Sequence, residues 1–490
     1  MNKRIQGILH GVGFSLGLLL LLAGLSRVME YKGSREKLAP FFARADQIDV
    51  LFLGDSHAYS GVYPMELFAA YGITAYNLAS YNATLPVSYW MLQNALERCT
   101  PKVVVLDVNQ IWADAKVPES SADVHTALDA FPLGRVKRAA IEDLLDDPAL
   151  HDKDGLRYRD LRWEFYLPFL KYHARWNDLG AEDFVPEPNR ELGAERNIAV
   201  AAPAAYEITA SAADEDGYGF AYLRRLVAQC QAAGIRVLLT NLPYPCPNNN
   251  GEQLYTNAVA YTAEELGVEY LDFVYMDKIV DYGTDCYDPA SHLNPSGAWK
   301  VTDFLGRTLA QAYALPDHRE DAAYDAWHAD YARYREDKLQ SFVQETDPYS
   351  FLMLLADPSF SALVLLPEGS ASHRDPLAMQ LLQNAGRRHL MPEDVGEAVW
   401  SDALYPLSLP GSPEQAALAL IDRQRGAVSE LRGAGTAEAS FGSVSLREDG
   451  VLSLSGTDHA SPDADLYALL LDPQTGAVLY DRSIVLPKGP

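Results

Sequence analysis

Four short apolar runs constrain the fold of this chain more than any other feature. They occupy residues 50–53, 103–108, 237–240 and 268–273. Unbroken apolar runs of this length are typical of strands that are buried on both faces, as in parallel sheets. Stretches with helical spacing or composition lie between them, at residues 64–70, 89–98, 221–233 and 258–266. This alternation predicts a doubly wound, mostly parallel α/β sheet, whose functional residues lie at the carboxyl ends of the strands.

A longer apolar stretch lies at the amino terminus, at residues 8–25. As a helix it is long enough to cross a hydrocarbon core of ~30 Å. Its length and the poor cleavage site around Gly24 and Ser26 favour an uncleaved signal anchor over residues 1–29, with a cleaved signal peptide as the alternative. Arg27 and Lys32 follow the span, so the charges alone do not favour a body outside the cytoplasm.

The net charge excludes one class of partner. The chain has 490 residues and a formal charge of −27, without a dense basic run, so nucleic acid is not expected to bind. An anionic polymer such as teichoic acid would be repelled for the same reason, unless it were held locally. The four cysteines exclude a disulfide scaffold and a cysteine-rich zinc module. No metal motif is present, and we expect neither a metal nor another cofactor.

The chain divides into segments of different texture. We predict an α/β domain over residues 45–316, interrupted at about 120–215 by a helical, aromatic-rich insertion. The insertion is either a lid or substrate platform, or a packed helical subdomain. Residues 317–345 form a helical linker with one aromatic stripe (Tyr324, Trp327, Tyr331 and Tyr334), which we interpret as a docking face.

Residues 346–490 are predicted to form a separate β-rich domain of the α+β class. Runs at 351–355 and 362–366 read as strands. Two similar segments, 421–428 and 471–478, each read as strand, turn and strand, and a third hairpin is expected around 448–450. The last hairpin faintly resembles the end of the interleukin-like EMT inducer domain, a small module linked to carbohydrate-active proteins.

The first strand runs directly into Gly54-Asp55-Ser56-His57. A serine at the tip of a parallel strand, just before a helix, presents its hydroxyl at the working edge of the sheet. The backbone N–H groups at the start of that helix can stabilise an oxyanion. The alternative is structural, because Asp and Ser are also common helix N-caps.

A second segment supplies a base. His292 follows the loop after the fourth strand and precedes a helix, and it is the only one of eleven histidines in such a setting. Asp288, four residues earlier, is placed to orient its ring. A serine nucleophile needs a base, and the base needs a group that orients it.

These blocks together resemble the SGNH (GDSL-type) hydrolase superfamily, and in particular the membrane-anchored branch related to the D-alanyl transfer protein of teichoic acid modification. The blocks FLGDSHAYSGVYP, AYNLASYNATLP, KVVVLDVNQIW and SHLNPSGAWKVTDFLG follow the family order over residues 45–316. The resemblance implies a flavodoxin-like fold and a body outside the cell. It also implies Ser56 as nucleophile, His292 as base and Asp288 as orienting residue.

The sequence departs from the family pattern in two ways. The family usually has Asp three residues before the catalytic His, and that position is Pro289, so Asp288 can act only if the loop bulges by one residue. Some members use a backbone carbonyl instead. The resemblance places oxyanion donors at Ser56, at Ala79 (where the family has Gly) and at Asn109, with Asn82 as the alternative amide. Turn or cap roles are the other interpretation of both Asn residues.

Other candidates are weaker. His57 could act as a second base if its ring pointed into the site, but we interpret it as a substrate contact or as packing on a helix side, because one base suffices. His173, Arg175 and Trp176 could contact substrate, although packing is the simpler interpretation. Cys246 and Cys286 follow adjacent late strands and form a candidate disulfide near the site.

These patterns predict a single-pass membrane protein with an extracytoplasmic serine O-acyltransferase or esterase. It would act on acyl esters, most simply acetyl, of a cell-surface glycan, with a multi-pass membrane acyltransferase as a candidate donor. The alternative is a catalytically degenerate scaffold or glycan-binding subunit of a cell-envelope polysaccharide system.

Overall fold

The computed structural model describes residues 3–185, 189–203, 207–244, 251–276, 278–387, 407, 414–459 and 464–487. The α-helices of these residues are α1 Lys3–Met29, α2 Lys32–Ala43, α3 Ser56–Gly61, α4 Pro64–Tyr71, α5 Leu85–Ala95, α6 Ser121–Leu128, α7 Arg135–Leu145, α8 Tyr158–Tyr166, α9 Phe169–Tyr172, α10 Gly217–Ala232, α11 Glu252–Leu266, α12 Pro295–Ala312, α13 Asp325–Gln344, α14 Pro348–Leu354 and α15 Pro376–Ala385. The strands are β1 Val50–Leu53, β2 Ala75–Asn77, β3 Val103–Asp107, β4 Arg236–Asn241, β5 Glu269–Asp272, β6 Ser361–Leu366, β7 Ala417–Asp422, β8 Ala427–Arg432, β9 Gly435–Ala439, β10 Gly442–Leu446, β11 Leu452–Leu454, β12 Thr457–His459, β13 Leu466–Leu471 and β14 Val478–Ile484.

Helix α1 lies outside the folded body except at its carboxyl-terminal end, where Ser26 and Met29 are buried. It is 27 residues long, which corresponds to about 40 Å at a rise of 1.5 Å per residue. Its apolar stretch is unburied, and the helix is long and apolar enough to cross a membrane. The prediction of an apolar helix at this position is therefore confirmed, whereas its orientation in a membrane stays a prediction.

Strands β1 to β5 form a parallel sheet in the order β2-β1-β3-β4-β5. This order is that of doubly wound flavodoxin-like sheets. The four predicted strands are confirmed to within two residues at each end. Strand β2 was not predicted, because its three residues (Ala75–Asn77) are too few to show a pattern.

Alternate residues of the sheet enter two separate cores, as expected of strands that are covered on both sides. Leu51, Val104 and Leu239 lie in one core with residues of α5 and α10. Val50, Val105 and Leu238 lie in the other with residues of α4 and α12. The helical insertion belongs to the first core, to which α6, α7 and α8 contribute Val124, Ile141 and Phe165, among others. The insertion is thus a packed helical layer on one face of the sheet.

The linker helix α13 packs against the α/β domain through the predicted stripe. Trp327 and Tyr334 are buried. The Trp327 indole donates to Gln47 Oε1 (3.0 Å) and the Tyr334 hydroxyl donates to Glu66 Oε1 (3.0 Å). Tyr324 precedes the helix, in a 3₁₀ turn.

The carboxyl-terminal region contains two antiparallel sheets, ordered β14-β13-β6-β7-β8 and β12-β11-β10-β9. One core joins the first sheet to α14 and α15, and another joins the two sheets. The three predicted hairpins are confirmed as β7–β8, β10–β11 and β13–β14. The strand predicted at 351–355 is wrong. Asp347 caps α14 by accepting from Ser350 N–H, and Pro348 occupies its first turn, so this apolar run is helical.

Candidate active site

The turn between β1 and α3 places Ser56 at the carboxyl edge of the sheet. Gly54 has φ = +144°, and a Cβ there would lie 2.6 Å from the Cβ of Asp107, so a side chain is excluded at this position. Asp55 caps α3, because its Oδ1 accepts from the His57 N–H at 2.9 Å. Ser56 is therefore the first helical residue, and its side chain is partly exposed.

The structure brings Ser56, His292 and Asp288 into one hydrogen-bonded chain. The Oγ atom of Ser56 lies 2.8 Å from Nε2 of His292. Nδ1 of the same ring lies 2.8 Å from Oδ2 of Asp288. Both distances are within the range expected of a nucleophile, its base and the group that orients the base. With Nδ1–H donated to Asp288, Nε2 is the acceptor that faces the serine hydroxyl.

The four-residue spacing between Asp288 and His292 is accommodated by a bulged loop. Ser291 takes the left-handed conformation, with φ = +66°. The His292 N–H donates to Asp288 Oδ1 at 3.1 Å, so both oxygens of this carboxylate contact the histidine. Tyr287 N–H donates to the carbonyl of His292 at 2.9 Å and closes the base of the loop. The loop thus provides the extra residue that the sequence spacing required.

The pKa of His292 is lowered from its usual value. The main cause is burial, and the neighbouring His57 adds to it, whereas Asp288 opposes both. Because the neutral form is favoured, the ring is able to accept a proton from Ser56 near neutral pH.

His57 lies against His292 and not on the surface. Its ring is stacked on that of His292, with centroids 4.4 Å apart and planes inclined by 17°, and Tyr244 contacts it as well, at 4.4 Å. Its Nδ1 lies 3.4 Å from Asp55 Oδ1, and its Nε2 lies 3.4 Å from the carbonyl of Ala290. The ring is buried, so the structure places it beside the predicted base and gives it little exposed surface for a substrate.

Sequence reasoning missed a buried acidic network behind this histidine. Burial lowers the pKa of His57, but the carboxylate of Asp55 outweighs that effect and raises it above the usual value. Burial and the proximity of Asp55 raise the pKa of Asp107 well above its usual range. Gln110 also donates to Asp55, at 3.0 Å. The position of Asp107 at the end of β3 pointed to the site, but its coupling to Asp55 depends on the close contact that Gly54 permits.

The four predicted oxyanion donors differ in whether their N–H groups already have a hydrogen-bond partner. The Ala79 N–H donates to Asn77 Oδ1 at 3.0 Å, so it is already occupied. The Asn109 amide nitrogen donates to Asp55 Oδ2 at 2.8 Å and lies 3.0 Å from His57 Nδ1. The Asn82 amide is exposed and donates to Asp123 at 2.9 Å. Of the four predicted donors, the Ser56 backbone N–H is the one with no hydrogen-bond partner among the described residues.

A cavity of about 330 Å³ adjoins this edge of the sheet. Its wall includes Asn82, Gln110, Trp112, Asp114 and Asp123. Gln110 connects it to the site, because the same side chain donates to Asp55. The cavity offers carboxylates, amides and one indole to a ligand.

The remaining predicted contacts lie elsewhere. Arg175 donates to the carbonyls of Met29 and Glu30 at the end of α1, at 2.6 and 2.8 Å. His173 Nδ1 lies 3.0 Å from the Leu170 carbonyl, and Trp176 is largely exposed. No contact described for these three side chains reaches Ser56 or His292. The structure therefore places them at the end of the apolar helix.

Cys286 is a buried thiol, and burial raises its pKa well above the usual value. Cys246, its predicted disulfide partner, lies outside the described residues, so the pairing stays a prediction. Among the described residues, no cluster of His, Cys, Asp and Glu is arranged to hold a metal ion.

No family model matches the chain, and no curated protein matches it. Among solved structures, a proposed acylhydrolase from Bacteroides fragilis NCTC 9343 aligns with a TM-score of 0.30 and 10% sequence identity. The alignment covers 58% of this chain and 99% of the other.

Proposed function

We propose that this protein is a membrane-anchored serine acyltransferase or esterase of the SGNH type, which acts through an acyl-serine intermediate. The observation that carries the proposal is the chain of two 2.8 Å contacts from Asp288 through His292 to Ser56. The order of the sequence blocks and the β2-β1-β3-β4-β5 sheet are consistent with it.

In the first half of the reaction, Ser56 Oγ attacks the carbonyl carbon of an acyl ester, and its proton passes to Nε2 of His292. Asp288 holds the other ring nitrogen and stabilises the resulting imidazolium. The oxyanion of the tetrahedral intermediate is placed to accept from the Ser56 N–H. Collapse of the intermediate breaks the ester C–O bond, and the leaving alkoxide takes the proton from His292. The acyl group is then an ester of Ser56.

In the second half, His292 removes a proton from the acceptor, which attacks the acyl-serine carbonyl. Collapse of this second intermediate breaks the bond between the acyl carbon and Ser56 Oγ, and Oγ takes back the proton from His292. Water as acceptor gives an esterase, and a sugar hydroxyl gives an O-acyltransferase. We propose that the acceptor or donor is a neutral glycan of the cell surface and that the acyl group is acetyl. The charge of −27 supports a neutral glycan over an anionic polymer.

The proposal includes an extracytoplasmic location for the body, with α1 as a single-pass anchor. A multi-pass membrane acyltransferase is the proposed source of acyl groups. The resemblance to the membrane-anchored SGNH branch supports both points.

One observation favours a second candidate, a catalytically degenerate scaffold or glycan-binding subunit. The Ala79 and Asn109 donors are occupied, so the site offers few free groups to an oxyanion. Loss of one oxyanion donor costs about 10²–10³ in rate in comparable enzymes.

Labelling with a fluorophosphonate probe separates the two candidates. We expect the wild-type protein in membranes or detergent to be labelled and Ser56→Ala to lose the label completely. Ser60→Ala is the matched control, since Ser60 lies one turn further along the same helix and is expected to leave labelling intact. A folded wild-type protein that never labels would contradict the enzymatic proposal and favour the scaffold.

A further inference from the structure

The helical insertion is fastened to the end of the apolar helix α1. The backbone N–H of Phe169, at the start of α9, donates to Ser26 Oγ at 3.0 Å. The Arg175 guanidinium donates to the last carbonyls of α1, at Met29 and Glu30, and also pairs with Asp183 at 3.0 Å. Phe169 and Arg175 thus contact the carboxyl-terminal end of α1 directly, and Asp183 is connected to it through Arg175.

Each of these three residues is next in sequence to an exposed apolar side chain. Leu170 follows Phe169 and is 45% exposed, and Trp176 follows Arg175 and is 66% exposed. Phe184 and Val185 follow Asp183 and are 64% and 76% exposed. Four exposed apolar side chains thus lie beside the residues that meet the end of α1, and such side chains often mark a surface that a membrane or a partner covers. We call these four residues the membrane-proximal face.

The length of α1 fixes the depth of this face. About 20 residues of helix cross the hydrocarbon core of a bilayer, and α1 has 27. If residues 6–25 occupy the core, then Ser26, Met29 and Glu30 lie at the level of the lipid headgroups. Trp and other amphipathic or apolar side chains are favoured at that level.

The distribution of charge agrees with this position. Residues 26–44 carry five basic and two acidic residues, a net charge of +3 in a chain of −27. Residues 131–185, which include the four exposed apolar residues, carry nine basic and eleven acidic residues, a net charge of only −2. The negative charge of the protein is therefore carried mainly by other parts of the chain, and these segments together are not repelled by anionic headgroups.

We propose that the membrane-proximal face (Leu170, Trp176, Phe184 and Val185) inserts into the headgroup region of the bilayer that α1 crosses. The body would then be held at a fixed height and tilt on the membrane by α1 and by this face together. This proposal rests on α1 as a membrane anchor and is independent of the chemistry of Ser56.

Quenching of tryptophan fluorescence by brominated lipid tests the proposal. The full-length protein is placed in nanodiscs of phosphatidylcholine, with or without bromine on the acyl chains close to the headgroup. We expect bromination to quench part of the emission, and Trp176→Phe to lose the larger part of that quenching. Trp299→Phe is the matched control, because Trp299 lies on α12, which packs on the opposite face of the sheet from the insertion.

Two outcomes would overturn the proposal. If the protein elutes with the nanodiscs but Trp176→Phe leaves the quenching unchanged, the face does not contact lipid. A membrane-protein partner would then be the alternative that covers it. If the protein does not elute with the nanodiscs, the anchor itself fails, and the proposal fails with it. Fluorophosphonate labelling of Ser56 would be unaffected by either result.

Discussion

Two polar clusters each include residues of the loop between β5 and α12. They differ in whether polar groups are left without a hydrogen-bond partner. One contains Ser56, Asp288 and His292. The other contains Asp285, Lys300 and Asn384. Lys300 Nζ contacts both oxygens of Asp285, at 2.9 and 2.6 Å, and the Asn384 amide donates to Asp285 at 2.7 Å. Each buried polar side-chain atom of these three described residues has a hydrogen-bond partner.

The first cluster is incomplete by comparison. The Ser56 N–H has no partner among the described residues, and in the adjoining network around His57 the buried Asn109 Oδ1 also lacks one. Asp285 and Asp288 are only three residues apart, so sequence position does not distinguish their roles. Both carboxylates are fully paired, so the two clusters are distinguished instead by the unpaired Ser56 N–H beside the serine hydroxyl. A fully paired ionic cluster indicates a structural role, whereas unpaired groups beside a hydroxyl and an imidazole indicate a site that is completed by a ligand.

The largest expected effect is on turnover, from His292→Ala. We expect kcat/KM for a model ester such as p-nitrophenyl acetate to fall by about 10⁴-fold or more, because Ser56 loses its base. The melting temperature is expected to change little, since this side chain is partly exposed. His173→Ala is the control and should retain activity. A fall of less than tenfold in His292→Ala would contradict the assigned base.

The next effect is on stability, from Lys300→Met. Asp285 would be left buried without its cation, and we expect the free energy of unfolding to fall by about 3–5 kcal/mol. Lys102→Met removes a half-exposed cation from Asp49, which keeps its 2.8 Å contact with His318, and should cost no more than about 1 kcal/mol. Denaturant unfolding measures both changes. Equal losses in the two variants would show that the second cluster is no more structural than a surface ion pair.

The smallest effect concerns pH. His292 must be neutral to accept a proton, so kcat/KM should fall as the pH drops through its pKa. Because that pKa is lowered, the wild-type midpoint should lie below the ordinary imidazole value of about 6.5. The titratable groups that face His57 are Asp55, Asp107 and His292 itself.

His57→Phe keeps a stacked ring and removes its charge. We expect the acid-side midpoint of kcat/KM to move to higher pH, since a cation no longer opposes protonation of His292. The maximal rate should change only a few-fold. A midpoint that stays in place, or moves to lower pH, would show that His57 is not cationic in the active protein.

The sheet and the positions of Ser56, His292 and Asp288 could be predicted because their determinants are local. Each strand is an apolar run, Ser56 lies three residues after β1, and Asp288 and His292 lie seven and three residues before α12. The hydrogen bonds of the oxyanion donors could not be predicted in the same way. Whether the N–H of Ala79 is free depends on the rotamer of Asn77, and the amide of Asn109 is held by a carboxylate 54 residues away.

The error at 351–355 has a different cause. An apolar run of five residues fits a buried strand and a buried helix equally well, and periodicity alone does not decide between them. Asp347 and Pro348 contained the information, because a capping residue followed by proline is typical of a helix start.

Helix α15 of the carboxyl-terminal region also limits how this chain can be divided. Asn384 completes the Asp285 cluster, and Gln380 donates to Asp281 at 2.8 Å, so α15 braces the loop that carries Asp288 and His292. The boundary predicted at residue 346 therefore divides two regions of different fold. These regions are not interchangeable modules, because the contacts of α15 connect them. A recombination that joined this α/β domain to a different partner would have to replace Asp281, Asp285 and Lys300 at the same time.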